Sequence, residues 1–367
     1  MSHKTGFILI LLMYTNSLIG APLSCGTIER GKDGVHEGKQ YPTYTYTTNE
    51  GRAVIVRQDM RVNADGARTA YELQNHGISY LCDGLTAREG SNWITRKPCG
   101  TLTANAIELA KIENDELHFS AQGPELCVFG FHVIGGKTGV RGCSGSVVGG
   151  GHGGAKAPLV SVASPDGALQ YFISMTSLAN RTTDVTKRYI DSEQIPFIVI
   201  PGRWQHKQIS LGDYAYIYSP SEIGVKQEAL TGPRGSFAII ADTGPRDKFG
   251  EGSIALHQML AFGELRTAPA YQKTANGKRH PKHASIYHPY QDRGDGDIRA
   301  KSNIDKEIWY ILFADSTNKM VEEYSYSVGA DGAPQGNVHS EGTNAAAVLG
   351  GQDHIIACLK DSAQFIR

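Results

Sequence analysis

Two carboxylates in the middle of the chain stand where they could do acid–base work. The stretch Phe237-Ala-Ile-Ile-Ala-Asp-Thr-Gly-Pro-Arg-Asp-Lys-Phe-Gly-Glu-Gly-Ser-Ile-Ala-Leu256 runs an apolar strand into Asp242, turns at Gly244-Pro245 and sets Glu251 between two glycines ahead of a helix. Asp242 and Glu251 then converge at one end of a sheet, and the glycines let a ligand approach the backbone closely. Cleaving a glycosidic bond takes two carboxyl groups in opposite protonation states, one to protonate the leaving oxygen and one to activate water or attack carbon. Their surroundings must split their pKa values. Asp242, leaving a strand beside a turn, suits the ionised base. Glu251 suits the proton donor if Phe249 and other apolar neighbours favour its neutral form, whereas a helix N-terminus works against that. On residue types alone, a turn aspartate and a helix-capping glutamate explain the same pattern equally well.

For these groups to meet, the chain must supply strands and a helix start. Ala53-Val-Ile-Val-Arg57 reads as a strand, and Asn63-Ala-Asp-Gly66 supplies turn residues after Asp59-Met-Arg-Val62. Further strands are expected at Leu169 to Met175, Ile195 to Ile200, Tyr214 to Tyr218, Phe237 to Ala241 and Glu307 to Phe313. Tyr214, Tyr216 and Tyr218 share one strand face, either to pack a barrel wall or to stack on sugar. Ser253 to Phe262 is the one good helix, capped by Ser253, striped by Leu256, Met259 and Leu260, and ended by Gly263. Short strands, glycine turns and few helices predict a mainly β sandwich or barrel.

Other segments give weaker signals. Residues 80–154 hold four cysteines and end in Gly149-Gly-Gly-His152-Gly-Gly154, which lacks the Gly-x-x-x-x-Gly-Lys-[Ser/Thr] of a phosphate loop and reads as a flexible surface loop. Residues 266–303 carry Lys278-Arg-His-Pro-Lys-His283, His288 and Asp292-Arg-Gly-Asp-Gly-Asp297. The aspartates miss the glutamate that closes a calcium loop, so a solvated loop is expected rather than a metal site. The tail after Asp315 is rich in glycine and serine except for Ile355-Ile-Ala-Cys358, whose cysteine should tie it back. The domain reading is a leader at 1–21, one domain over 50–315 with an insertion at about 80–154, and a packed extension over 316–367.

The whole chain has 367 residues, 40% of them apolar and 20% charged, with 43 glycines, a globular composition. A net charge of -1 gives no general pull toward nucleic acid or an anionic membrane. Lys4, the apolar run Phe7 to Met13 and the pair Gly20-Ala21 have the layout of a secretory signal peptide, which predicts an exported protein. An acylated Cys25 after Leu23-Ser24 is a minor alternative, disfavoured by Pro22. All six cysteines follow the leader, so disulfides are expected over a metal site, with the cluster between Cys82 and Cys143 stapled locally. Asn180-Arg181-Thr182 is a glycosylation sequon.

Ala241-Asp-Thr-Gly-Pro245 followed by Gly250-Glu-Gly-Ser-Ile-Ala-Leu256 resembles the signature of glycoside hydrolase family 75, the fungal and bacterial endo-chitosanases. Tyr171-Phe-Ile-Ser-Met-Thr-Ser-Leu178 and Tyr189-Ile-Asp-Ser-Glu-Gln-Ile-Pro-Phe-Ile-Val-Ile-Pro201 resemble it in the same order, and Leu211-Gly-Asp213 and the strand Ile308 to Phe313 less specifically. The resemblance is good over about 160–265. It implies a double-psi β-barrel-like core and endo-hydrolysis of chitosan with inversion, without metal or cofactor. Asp242 takes the place of the general base and Glu251 that of the general acid. Thr176, Ser177, Asp191 and Glu193 fall in the matching blocks as substrate-binding candidates, since a polycation calls for acids along its groove; a structural turn near Pro196 is the competing use of Asp191 and Glu193. A monomer acting on polysaccharide, with no nucleic-acid or membrane partner, is the expectation. A hydrolase of another β-linked wall glycan (chitin, peptidoglycan or β-glucan) and a non-catalytic carbohydrate-binding module are the alternatives.

Overall fold

A computed structural model describes residues 24–36, 39–73, 77–94 except 80, 110–161 except 139, 142 and 144, 170–221 except 203, 205 and 207, 223, 234–244, 248–265, the short strands at 271–273, 279–281, 290–292 and 298–300, and 303–366 except 319. The leader, Cys99, Pro245, His283, His288 and most of the 292–297 aspartate run lie outside the described residues.

Six strands close a barrel: β1 (Arg52–Asn63), β2 (Phe197–Pro201), β3 (Tyr214–Ser219), β4 (Arg234–Gly244), β5 (Glu251–Ser253) and β6 (Ile304–Phe313). Their order around the wall is β1-β5-β2-β4-β3-β6, and β6 returns to pair with β1. β5 with β1 and β2 with β4 are parallel pairs, and the rest are antiparallel. Besides β6, the long β1 serves two further partners: Arg52–Val56 pair with the strand Thr43–Thr47, and Arg61–Asn63 pair with β5.

Both faces of the wall are covered, which is why these strands read as unbroken apolar runs rather than as an apolar–polar alternation. Ala53, Ile55, Phe197, Val199, Ile239 and Ile311 point into one layer beneath the C-terminal helices, and Val54, Val56, Ile198, Ile200, Ile240 and Tyr310 into the other. Tyr214 and Tyr218 are buried in the first layer and the half-buried Tyr216 packs against it, so this face packs the barrel wall. Helix α1 (Ile254–Phe262) begins and ends as its sequence predicts: Ser253 Oγ accepts from Leu256 N–H, and Gly263 adopts a left-handed conformation at φ 72°. All nine of its residues are buried, so its packing goes beyond the expected stripe.

Between β1 and β2 the chain leaves the barrel and builds a second β lobe. Tyr71–Glu72, Gln170–Phe172, Lys156–Ser161, Glu116–Phe119 and Ala110–Glu113 form one sheet, and Ser146–Val148, Glu125–Val128, Leu85–Glu89 and Asn92–Ile94 form another. Leu81, Leu117, Leu126, Phe131 and Phe172 make its core, and Ile254 at the start of α1 enters it. Much of the segment expected as a stapled loop is therefore folded sheet. The Gly149–Gly154 stretch is an ordered turn, with His152 N–H donating to Gly149 O and Gly151 N–H to Ala121 O. Strands of two to six residues, several of them paired with distant segments, leave too little local periodicity to be read from sequence.

The tail also differs from its loop-like composition. Helices α2 (Asn337–Ala347) and α3 (Gln352–Asp361) lie on the barrel, and a Cβ at Gly342 would meet the Phe237 side chain at 2.7 Å, so glycine permits that approach. Cys25 is bonded to Cys358 and Cys127 to Cys143, and Cys82 is also disulfide-bonded. The first bond commits the sulfur that acylation would need. Among the described residues no helix is long and apolar enough to cross a membrane.

Candidate active site

The centre is built where three strands run side by side. Val199 on β2 pairs with Asp242 on β4 to one side and with Glu251 on β5 to the other. A register shift between Ile198 and Val199 marks a bulge there, a device that re-aims side chains. Asp242 and Glu251 thus stand two strand spacings apart, with Cα positions separated by about 9–10 Å on an unbent wall. Continuing one strand further, Glu251 pairs with Arg61 on β1, and β1 ends at Asn63 in the turn that carries Asp65. A third carboxylate therefore reaches the same end of the barrel.

Asp242 is buried, and one of its oxygens takes most of the local donors. Ser177 N–H at 2.9 Å, Ser177 Oγ at 2.5 Å and Thr243 N–H at 2.8 Å all donate to Oδ1. Burial raises its pKa most strongly, the three donors oppose that, and nearby Glu251 adds to the rise, leaving it at about 6. Glu251 is partly buried, with Lys248 Nζ against Oε1 and Asn63 Nδ2 at 3.4 Å from Oε2.

Asp65 is held by its own turn. Its N–H donates to Asn63 Oδ1 at 2.9 Å, Tyr71 Oη donates to its Oδ1 at 2.5 Å, and Asn63 Nδ2 lies 3.4 Å from its Oδ2. Gly66 next to it has φ 83°, and a Cβ there would stand 1.9 Å from Ile190 O, so only glycine fits. Gly66 N–H also donates to Ser174 Oγ at 2.8 Å, tying the turn to the second lobe. Burial and then the Asp242 charge push the Asp65 carboxyl up to about 7, with Tyr71 opposing and Glu251 adding.

The other anticipated site residues divide. Ser177 is exposed and its hydroxyl bridges Asp242 and Thr243, so it belongs to the centre. Thr176 is buried, with its hydroxyl accepting from Ile190 N–H and donating to Leu178 O; it holds two loops together and offers nothing to a ligand. Asp191 accepts from Glu193 N–H and Gln194 Nε2, and stands 3.7 Å from the exposed Arg68, so it organises a turn. Burial raises its pKa. It also lines a cavity of about 180 Å³ with Gly66, Arg68, Ser174, Tyr189 and Tyr324, whose lining does not include Asp65, Asp242 or Glu251. Glu193 accepts from Thr69 Oγ1 at 3.0 Å. Asp213 in the less specific block is fully buried and ties Ser210 to Thr317.

Asp65, Asn63, Tyr71 and Lys248 were not among the site residues expected from the sequence. Asn63 to Gly66 carried a turn signal, but only the parallel pairing of β5 with β1 puts that turn beside Glu251. Among the described residues, the one group of three His, Cys, Asp or Glu ligand atoms within 4.8 Å of one another is Cys25, His354 and Cys358, and its two sulfurs are bonded together. The three carboxylates are spread more widely than such a cluster. No protein-family model matches the chain, and no curated protein matches it significantly.

Proposed function

We propose that the chain is an exported endo-acting glycoside hydrolase that cleaves β-1,4 linkages of chitosan with inversion at the anomeric carbon. The observation that carries the reading is the row Asp242–Val199–Glu251: two carboxylates on strands flanking a shared neighbour, two strand spacings or about 9–10 Å apart at their Cα positions. An inverting pair needs about 6.5–9.5 Å between its carboxyl groups, whereas a retaining pair sits at about 5–5.5 Å.

Asp242 acts as general base. With Oδ1 occupied by Ser177 and Thr243, its Oδ2 is the oxygen left to take a proton from water, and the group ionises above about pH 6. Glu251 donates the proton to the leaving oxygen. Lys248 on Oε1 opposes that role. Among the described residues, Asp65, Asp242 and Glu251 gather at one end of the barrel with Lys248 beside Glu251, an acidic excess that suits a polycationic chain, and the disulfides and the basic–apolar leader suit export.

The test is incubation of the purified protein with fully deacetylated chitosan beside chitin, peptidoglycan and β-glucan, following oligomer length and the anomer first released. Short chitosan oligomers of inverted configuration are expected. Release from another polymer in preference to chitosan would reassign the substrate, and no release from any would leave only a binding role.

A further inference from the structure

The reaction just proposed leaves the bond between Cys25 and Cys358 without a chemical part, and the group that stands beside this bond is a histidine. Cys25, Cys358 and His354 bring two sulfurs and an imidazole nitrogen within 4.8 Å of one another. His354 and Cys358 are four residues apart on α3, so they rise from one face of that helix. His354 Nε2 stands 3.6 Å from Cys358 Sγ. A hydrogen bond to sulfur is weak, and a disulfide whose only task is to fasten two segments needs no imidazole beside it.

The three donors match a zinc ion in type and in spacing. Thiolate sulfur and imidazole nitrogen are ligands that zinc prefers, and with Zn–S at about 2.3 Å and Zn–N at about 2.0–2.1 Å a tetrahedral site sets sulfur about 3.5–3.6 Å from nitrogen. The His354–Cys358 contact already has that length. The two sulfurs have to part to about 3.8 Å. Cys25 is exposed and free to make that movement, whereas Cys358 is buried in the first layer of the core. Both segments also keep their places without the bond. Thr27–Arg30 pair with Thr43–Thr47, Gly26 N–H donates to Tyr46 Oη at 3.1 Å, and Ile355, Ile356 and Leu359 seat α3 on the barrel. Opening the bond therefore leaves the ligands gathered, which lowers the cost of binding a metal.

We propose that Cys25, His354 and Cys358 form a zinc site of the reduced protein, so that a metal fastens the N-terminal strand to α3 where a covalent bond fastened them before. A small thiol supplies the electrons. Its thiolate attacks the exposed Cys25 sulfur, the Cys358 sulfur leaves as thiolate, and a second thiol frees Cys25. The disulfide of the protein becomes two thiols, and the two reductant molecules become one disulfide. Zn2+ then takes both sulfurs as thiolates and the neutral imidazole through Nε2, releasing the thiol protons and keeping water in the fourth position. Two thiolates balance the charge of the ion. Reoxidation expels the metal, because the thiolate and not the disulfide sulfur is the ligand. Nothing in this site depends on what the carboxylates cleave.

The test reduces the whole protein with a phosphine, which is converted to its oxide and leaves no thiol to compete for metal, and follows Zn2+ binding by competition with a chromophoric chelator. The reduced wild type is expected to bind one equivalent with a Kd of about 1 μM or tighter, and the oxidised protein about 100-fold more weakly or not at all. His354→Gln should weaken that equivalent about tenfold or more, and Cys25→Ser or Cys358→Ser should remove it. Replacing Cys127 and Cys143 by serine, which removes the other described disulfide, should leave it in place. Co2+ used instead of Zn2+ should give a thiolate-to-metal charge-transfer absorption that Cys358→Ser loses. Added Zn2+ should also raise the melting temperature of the reduced wild type more than that of reduced His354→Gln. Absence of the tight equivalent from the wild type, or equal affinity in His354→Gln, would overturn the proposal, since the imidazole would then have no part in a site. A reduced protein that unfolds with or without Zn2+ would overturn it too, because the ligands would not stay gathered.

Discussion

At the scale of residues, the same physics that suits Asp65 and Asp242 to proton chemistry makes them costly to the fold. Their carboxyls bind protons more tightly folded, at about 7 and about 6, than at the 3.8 of a free aspartate. A raised pKa contributes stability that is complete below about pH 4 and is lost as pH climbs through 6 to 7. The wild type should therefore melt at a lower temperature at pH 8 than at pH 5. Asp65→Asn should flatten that slope and gain on the order of a few kcal/mol at pH 8 relative to the wild type; a parallel pair of melting curves would refute the burial of this charge. The roles of the other two acids separate by leaving group. Glu251→Gln should lose orders of magnitude on chitosan yet recover much of its rate on a chitooligosaccharide with an activated aryl leaving group, because such a group departs without a proton. Asp242→Asn should stay slow on both, and the reverse pattern would exchange the two assignments.

At the scale of elements, the centre depends on segments that contribute no chemistry. Ser192 Oγ donates to Asn63 O at 2.6 Å and accepts from Ile254 N–H at 3.0 Å, joining the end of β1 to the start of α1. Phe197 N–H donates to the Ser253 hydroxyl at the same junction. Since all these groups are buried, Ser192→Ala leaves partners unsatisfied and should cost about 1–3 kcal/mol in urea unfolding. Gly66→Ala is harsher, because a methyl would overlap the Ile190 carbonyl at a left-handed backbone position. It should destabilise by about 2 kcal/mol or more and shift Asp65 from its place, seen as the loss of its coupled titration. Unchanged unfolding would show that the turn can relax freely. The sequon amide is engaged at this scale as well: Asn180 Nδ2, the atom that would carry a glycan, donates to Lys187 O, and its Oδ1 accepts from Tyr324 N–H and ties that loop to the tail.

At the scale of the whole molecule, the ends of the chain are fastened to each other. Cys25 and Cys358 are 333 positions apart in sequence, and their bond holds the N-terminal strand to α3 over the barrel. Arg57 donates to Phe365 O and pairs with Glu307, while Phe365 packs edge-on to Tyr44 and Trp309. Replacing both cysteines by serine should cost about 2–5 kcal/mol and leave the centre active at room temperature, because the reaction groups lie on other elements. Equal melting temperatures with and without reductant in the wild type would show that the bond contributes little.

The strands were legible because each is buried on both sides, so that Ile198 to Ile200 and Phe237 to Ala241 announce themselves as apolar runs; α1 was legible because its caps are local. Sequence by itself therefore determined a mainly β chain, its one well-capped central helix, and the placement of Asp242 after an apolar strand with Glu251 just ahead of that helix. It could not determine the second lobe or α2 and α3, whose short or glycine-bearing segments gain their stability from distant partners. Nor could it bring Asp65 to the centre. That needed Arg61–Asn63 to run parallel beside Glu251–Ser253, a pairing across nearly two hundred residues that only the closure of the barrel decides.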